Sequence, residues 1–373
     1  MSARRTIDDT GNDWPIMRTF LSAVNCKFLR IVIVLTLAFF VQPAQCSAGV
    51  MDPQLKLGEY LFLDANLSRD GSTSCSTCHI PSRAYADFKA RSQGAGGATG
   101  TRNAPSLIDA NANTTFFWDG RRSSLNEVVL DPFTNPVELG LASAEDALVR
   151  LSRERGTLAR FRSAFPTDKA WPSLKQVQTA LTRFVSSLAS GSSAYDVAIS
   201  HKTLLPSIAE RGRQLFDGIA GCAKCHVDSG NKARFTDEEY HHSEFGEATQ
   251  SPTLSSLVAS VVKSELTPSD LGPKILTDPA WSELGRFAFT RDPRDIGFFR
   301  TPSLRNVAVT APYMHDGSIA TLSEAVDHEI YYRGLSQGHP INLTQDERQA
   351  IVAFLECLTA ASFATERDPS TKW

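Results

Sequence analysis

Apolar positions in this chain form one long run and four helix-spaced stripes. The run, Ile31 to Val41, is broken only by Thr36; Arg30 precedes it, and Pro43 and small residues to Ala48 and Gly49 follow. It is too short to span a bilayer and fits the apolar region of a signal peptide over residues 1–48. An uncleaved anchor is the competing reading. Asp8, Asp9 and Asp13 suit a leader poorly and make Met17 an alternative start, and Gln45 fits poorly with a lipid-carrying Cys46. The first stripe, Leu61 and Phe62 after Gly58, is matched by Leu215 and Phe216 after Gly212. The other two are Val177, Leu181, Phe184, Leu188 and Ile351, Phe354, Leu355, Leu358. Spacing of three and four puts each set on one helix face, so each later helix should pack across its earlier partner. The expected fold is all-α, with domains over 52–198 and 203–365 and a junction within 196–210, flanked by Gly191 and Pro206.

A repeat supports two equivalent halves. Pro105-Ser106-Leu107 recurs as Pro302-Ser303-Leu304, an offset of 197 residues. At that offset Trp118-Asp119-Gly120 meets His315-Asp316-Gly317, Leu125 meets Leu322, Glu127 meets Glu324 and Val129 meets Val326. Internal duplication is the simplest source. Each Asp-Gly marks a turn that opens a short helix.

Charge excludes little. The chain has 38 Lys and Arg against 41 Asp and Glu. Without residues 1–48 the balance is 33 against 38, with no basic patch to suggest nucleic acid. The seven cysteines are more telling. Four stand in two copies of Cys-x-x-Cys-His, Cys75–Cys78–His79 and Cys222–Cys225–His226, 147 residues apart. The spacing is the attachment signature of c-type haem: two thiols bond the macrocycle and the next His ligates iron. The chain's own Cys and His frequencies give on the order of 0.003 chance matches. Zinc or a redox Cys pair are the other readings, but a Cys₂His set needs a fourth ligand and no second Cys pair is at hand. Cys357 is left over on an apolar helix face, as expected of a core thiol.

What each iron would meet follows from the remaining ligand types. Between His79 and His201 there is no His, and beyond the leader the methionines are Met51 and Met314. The first haem therefore lacks a local distal ligand and should be open to peroxide. The segment Asp327–Arg333 should cover the second. Tyr331 is the first choice there, a hard anionic donor, with Tyr332, Glu329 and His328 as alternates. Either Tyr is equally read as a half-buried helix residue. Trp118 by itself reads as core and Glu138 as a solvated loop carboxylate. Residues 227–300 are charged and turn-rich, and His241, His242 and His339 should be exposed.

Taken together, several motifs resemble the di-haem cytochrome c peroxidase/MauG superfamily from about Leu57 to Leu358. They are Cys75–His79, Arg102-Asn103-Ala-Pro105, Phe117–Arg121, Asn135–Glu138, Cys222–His226, Thr301–Asn306 and Thr310–Gly317. The resemblance implies two all-α cytochrome c domains, each with one covalent haem, and a calcium ion between them. Asn103 and the carbonyls of Thr310 and Pro312 would hold the calcium, a set of oxygen donors that suits it. It further implies that Trp118 is the inter-haem tryptophan and Glu138 the distal acid of the peroxide-reactive haem. Classical members have a His after the first motif and a Met on the second haem; this chain has neither and is similar to the MauG side. It departs from MauG at Val128 and Ala220, where MauG has Gln and Trp. Relatives of the MbnH type act on a Trp of a copper-binding partner. The implied activity is periplasmic, peroxide-driven oxidation of a partner protein: a small copper protein, a cytochrome c or a dehydrogenase precursor. A cytochrome c peroxidase fed by a small cytochrome or cupredoxin, and a plain di-haem electron carrier, are the alternatives.

Overall fold

Polar caps at helix starts set the frame in the computed structural model, which describes residues 52–364 apart from 169–171, 231 and 243–252. The leader, with Cys46, lies outside the described residues. Six helices matter for the sites. Helix α1 (Pro53–Leu63) starts at Asp52, whose carboxylate accepts from Gln54 N–H at 3.0 Å. Helix α2 (Leu174–Ser186) starts on a Ser173–Gln176 capping box. Helices α3 (Ala194–His201) and α4 (Ser207–Asp217) follow. Helices α5 (Leu322–Gln337) and α6 (Gln345–Glu356) start on Thr321–Glu324 and Thr344–Glu347 boxes. Each box satisfies N–H groups that a helix end leaves unpaired.

The four stripes are buried as their spacing predicts. Helix α2 packs across α1, and α6 across α4. Leu61, Phe62, Val177 and Leu181 are at most 2 % exposed in the first crossing, as are Phe216, Ile351 and Phe354 in the second. Each such side chain contributes about 1.5–3 kcal/mol. Both crossings depend on a glycine. A Cβ on Gly58 would stand 2.0 Å from the Ala180 carbonyl oxygen, and one on Gly212 1.8 Å from that of Ala350.

The 197-residue offset extends to conformation. Asp109 and Asn306 both have positive φ, each opening a 3₁₀ turn (Ala110–Ala112 and Val307–Val309). Phe117 and Met314, and Gly120 and Gly317, also share positive φ. Bridges close the two turns identically, Phe116 to Arg122 and Tyr313 to Ile319.

Packing moves one expected boundary. Tyr195 and Ala198, placed by sequence at the end of the first domain, belong to the second core with Leu215, Phe235 and Phe354. The chain changes core near Gly191, because α3 buries its apolar face on the α4–α6 side. Within 227–300, moreover, Val261, Leu271, Ile275, Trp281, Leu284 and Phe287 form a third core that charge and turn content had hidden. A two-stranded antiparallel sheet, β1 (Tyr240–His242) with β2 (Phe298–Arg300), adjoins it. Among the described residues no helix is long and apolar enough to cross a membrane.

Candidate active site

The first Cys-x-x-Cys-His is a single helical turn, Cys75–Cys78, at the wall of a cavity of about 90 Å³ that opens to solvent. Phe62, Leu125, Val128, Val129, Leu181 and Val185 supply apolar lining, and Cys75, Cys78, His79 and Glu138 the chemistry. Neither thiol is in a disulfide. Nδ1 of His79 lies 3.0 Å from the Tyr85 carbonyl oxygen. A carbonyl can only accept, so Nδ1 carries the proton and Nε2 keeps its lone pair for a metal. Burial lowers the imidazole below the usual histidine range, which keeps it neutral as a ligand must be.

Glu138 enters the cavity because its backbone is fixed. Its carbonyl accepts from Ala95 N–H at 2.8 Å, its N–H donates to Asn135 O at 3.0 Å, and the next residue's carbonyl accepts from Arg69 N–H at 2.8 Å. It is thus a lining group and not a solvated loop carboxylate. Burial pushes its carboxyl up to about 7, against the charge of Arg121, which pulls it down; Asp131 adds to the rise. Arg121 was part of a motif but carried no assigned role. Its side chain is 6 % exposed, pairs with buried Asp119 at 2.9 Å and stacks 3.6 Å over the Phe117 ring.

The second motif repeats this arrangement: Cys222–Lys224 form a 3₁₀ turn, and Nδ1 of His226 lies 2.9 Å from the Phe235 carbonyl oxygen. Burial takes His226 down to about 4. Helix α5 faces this motif with Glu329 and Arg333. Arg333 donates to the Gly221 carbonyl at 3.4 Å, and the charges of both residues act on the Cys222 thiol. Glu329 is reached by solvent, yet desolvation by its neighbours raises its carboxyl, against the charge of Arg333, which lowers it. Tyr331, the expected ligand, is not in this set. It is 62 % exposed with its ring against Tyr332. Two residues along a helix is a turn of about 200°, so a face that presents Glu329 turns Tyr331 away.

Between the motifs the repeated turns touch. The Trp118 indole donates to the Asn103 carbonyl at 3.0 Å, Asn103 N–H to the His315 carbonyl at 2.8 Å, and Arg300 N–H to the Trp118 carbonyl at 2.8 Å. The Asn103 amide nitrogen donates to the Lys89 and Ala90 carbonyls, which leaves Oδ1 as its donor atom for a cation. Thr310 and Pro312 stand in the loop that leads to His315.

The donor sets fit haem at both motifs: paired thiols, a neutral imidazole with Nε2 free and, at the first, an apolar cavity. One other metal-type cluster occurs among the described residues, Cys225 with Asp237 and His241. It shares Cys225 with the second motif, so haem attachment there would remove it.

Comparison with known proteins agrees with this chemistry. The family described as di-haem cytochrome c peroxidase matches residues 52–203. The methylamine utilization protein MauG of Methylorubrum extorquens is 34 % identical over 326 residues, covering 84 % of this chain and 80 % of that protein. The cytochrome-c peroxidase IdrP1 of Denitromonas iodatirespirans is 31 % identical over 330 residues, 85 % of this chain and 84 % of that one. A solved MauG-like protein associated with microbial copper homeostasis superposes with a TM-score of 0.67 at 29 % identity, covering 84 % of this chain and 91 % of that one.

Proposed function

Because the chain belongs to the di-haem cytochrome c peroxidase family, we propose that it uses hydrogen peroxide to oxidise a partner protein in the periplasm. It is a peroxidase-type oxidoreductase; the partner and the kind of oxidation are our reading. One observation carries the peroxide chemistry: a thiol pair, a neutral imidazole and a near-neutral carboxyl meet at one cavity. Beyond Cys75, Cys78 and His79, no described lining residue offers a nitrogen or sulfur ligand.

Bound haem c would supply peroxide reduction and electron transfer, held by Cys75, Cys78 and His79 and by Cys222, Cys225 and His226. Glu138 takes a proton from one peroxide oxygen and returns it to the other. A carboxyl near 7 serves both steps because both of its forms are populated at neutral pH. Arg121 keeps that carboxyl from rising further. Trp118, bonded into the contact between the repeated turns, gives electrons a route between the halves. Glu329, with Arg333 beside it, is the group offered to the second haem. Asn103 Oδ1 with the carbonyls of Thr310 and Pro312 would hold calcium. The shared turn geometry supports duplication of one haem-binding domain. Export by the 1–48 leader suits covalent haem attachment, which takes place outside the bacterial cytoplasm.

The copper association of one solved relative favours a copper-binding protein as partner, while likeness to a cytochrome-c peroxidase favours a small cytochrome or cupredoxin as electron donor. Peroxide is added to the haem-loaded protein with each candidate. A mass change on an aromatic residue of the copper protein supports partner oxidation. Turnover only with a reduced cytochrome or cupredoxin assigns the second reading, and no peroxide consumption refutes both.

A further inference from the structure

We propose that Tyr195 is a redox relay leading out of the second haem site, with Asp228 as its proton acceptor. The inference rests on the reading that a haem is bound at Cys222–His226. Both proximal histidines share a setting of three aromatic residues. In the first half Phe62 lies 5.9 Å from Tyr85 and 5.0 Å from Phe184 between ring centroids. In the second, Phe216 lies 6.3 Å from Phe235 and 5.2 Å from Phe354. His79 is anchored on the carbonyl of Tyr85, and His226 on that of Phe235.

The second half adds a phenol. Tyr195 is 0 % exposed, its ring 5.2 Å from Phe235 and 6.1 Å from Phe354. Its ring therefore packs directly against the residue that holds His226. Its backbone is fixed by donation to the Cys357 carbonyl at 3.0 Å. The hydroxyl leaves the apolar core at a single point, where it donates to Oδ2 of Asp228. Asp228 is exposed, and its other oxygen accepts from Gly230 N–H at 2.8 Å. Arg213 and Asp217 on α4 are the other charges acting on the phenol.

A buried phenol bonded to a surface carboxylate is suited to coupled loss of an electron and a proton. Without a proton acceptor, oxidation would leave a phenol cation in an apolar core, at high cost. With one, Tyr195 gives up one electron toward the second haem site while its hydroxyl proton passes to Asp228. An electron from the partner protein then restores the phenol, and the proton returns. Two such passes supply the two electrons that, with two protons, convert one hydrogen peroxide to two waters.

The test uses the protein with both haems attached, as ferric protein mixed with peroxide and no partner, frozen within seconds and read by electron paramagnetic resonance. A parallel sample receives hexachloroiridate(IV), a one-electron oxidant that reads the relay whether or not peroxide reacts. Wild type should give a tyrosyl signal that narrows with ring-deuterated tyrosine. Tyr195→Phe, which keeps the ring packing, should lose it. Asp228→Asn, which keeps an acceptor oxygen but not a carboxylate, should lower it. An undiminished signal in Tyr195→Phe, or no tyrosyl signal in wild type with either oxidant, overturns the relay. A tyrosyl signal with hexachloroiridate but no haem response to peroxide supports the relay and sinks the peroxidase reading instead.

Discussion

Replacing Glu138 by Gln should remove a pH-dependent weakness from the fold together with a proton carrier from the site. Burial lifts this carboxyl from 4.5 to about 7. A gap of about 2.5 units at about 1.4 kcal/mol each sets an upper bound near 3.5 kcal/mol on the cost of ionising it in the folded protein. Because the folded value is the higher one, the fold favours the protonated form. Its contribution is intact below pH 4.5 and is lost as pH rises through about 7. Gln cannot ionise and loses nothing. The variant should therefore match wild type at pH 4 and exceed it at pH 8 by up to about 3.5 kcal/mol. Urea unfolding of the haem-loaded proteins across that range, with equal slopes, measures the difference. A difference that stays constant with pH would refute the burial argument. The same substitution should slow the reaction with peroxide about 100-fold or more. The wild-type rate should climb with pH through about 7, as the carboxylate that accepts the first proton becomes populated. An equally fast Gln variant would end the acid–base role and leave the electrostatics standing.

Gly212→Ala forces a Cβ to 1.8 Å from the Ala350 carbonyl oxygen, so α4 and α6 must part. Overpacking of about 1–3 kcal/mol or more outweighs about 1 kcal/mol of helix propensity. The melting temperature should fall by several degrees, and an unchanged one would show that the crossing yields freely. Glu329→Ala should alter the ferric spectrum of the second haem while Tyr331→Phe leaves it alone; the reverse pattern would restore Tyr331 as ligand. Trp118→Phe should slow electron exchange between the haems after partial reduction, and exchange at the wild-type rate would remove the relay role. It also deletes the 3.0 Å bond to Asn103, worth about 1 kcal/mol in an unfolding measurement.

Covalent order alone determined a good deal of this protein. The two attachment motifs are contiguous, so no folding is needed to recognise them. The four stripes specify helix faces because 3.6 residues per turn is a local property. The 197-residue offset predicted two turns that prove to share bridges and backbone angles down to Phe117 and Met314. What stayed hidden depends on contacts between distant segments. Glu138 reads as a loop carboxylate until Ala95 and Arg69 pin its strand of chain against the cavity. The sequence offered both Tyr331 and Glu329 for the second haem, and only the packing of α5 puts the charge of Glu329 near Cys222 and leaves Tyr331 62 % exposed. Tyr195 looked like the tail of the first domain, yet it is buried in the second core, against Phe235 and Phe354. Residue order sets which way a helix turns its apolar side. Long-range packing sets what that side meets, and with it the desolvation and nearby charge that give a carboxyl or a phenol its chemistry.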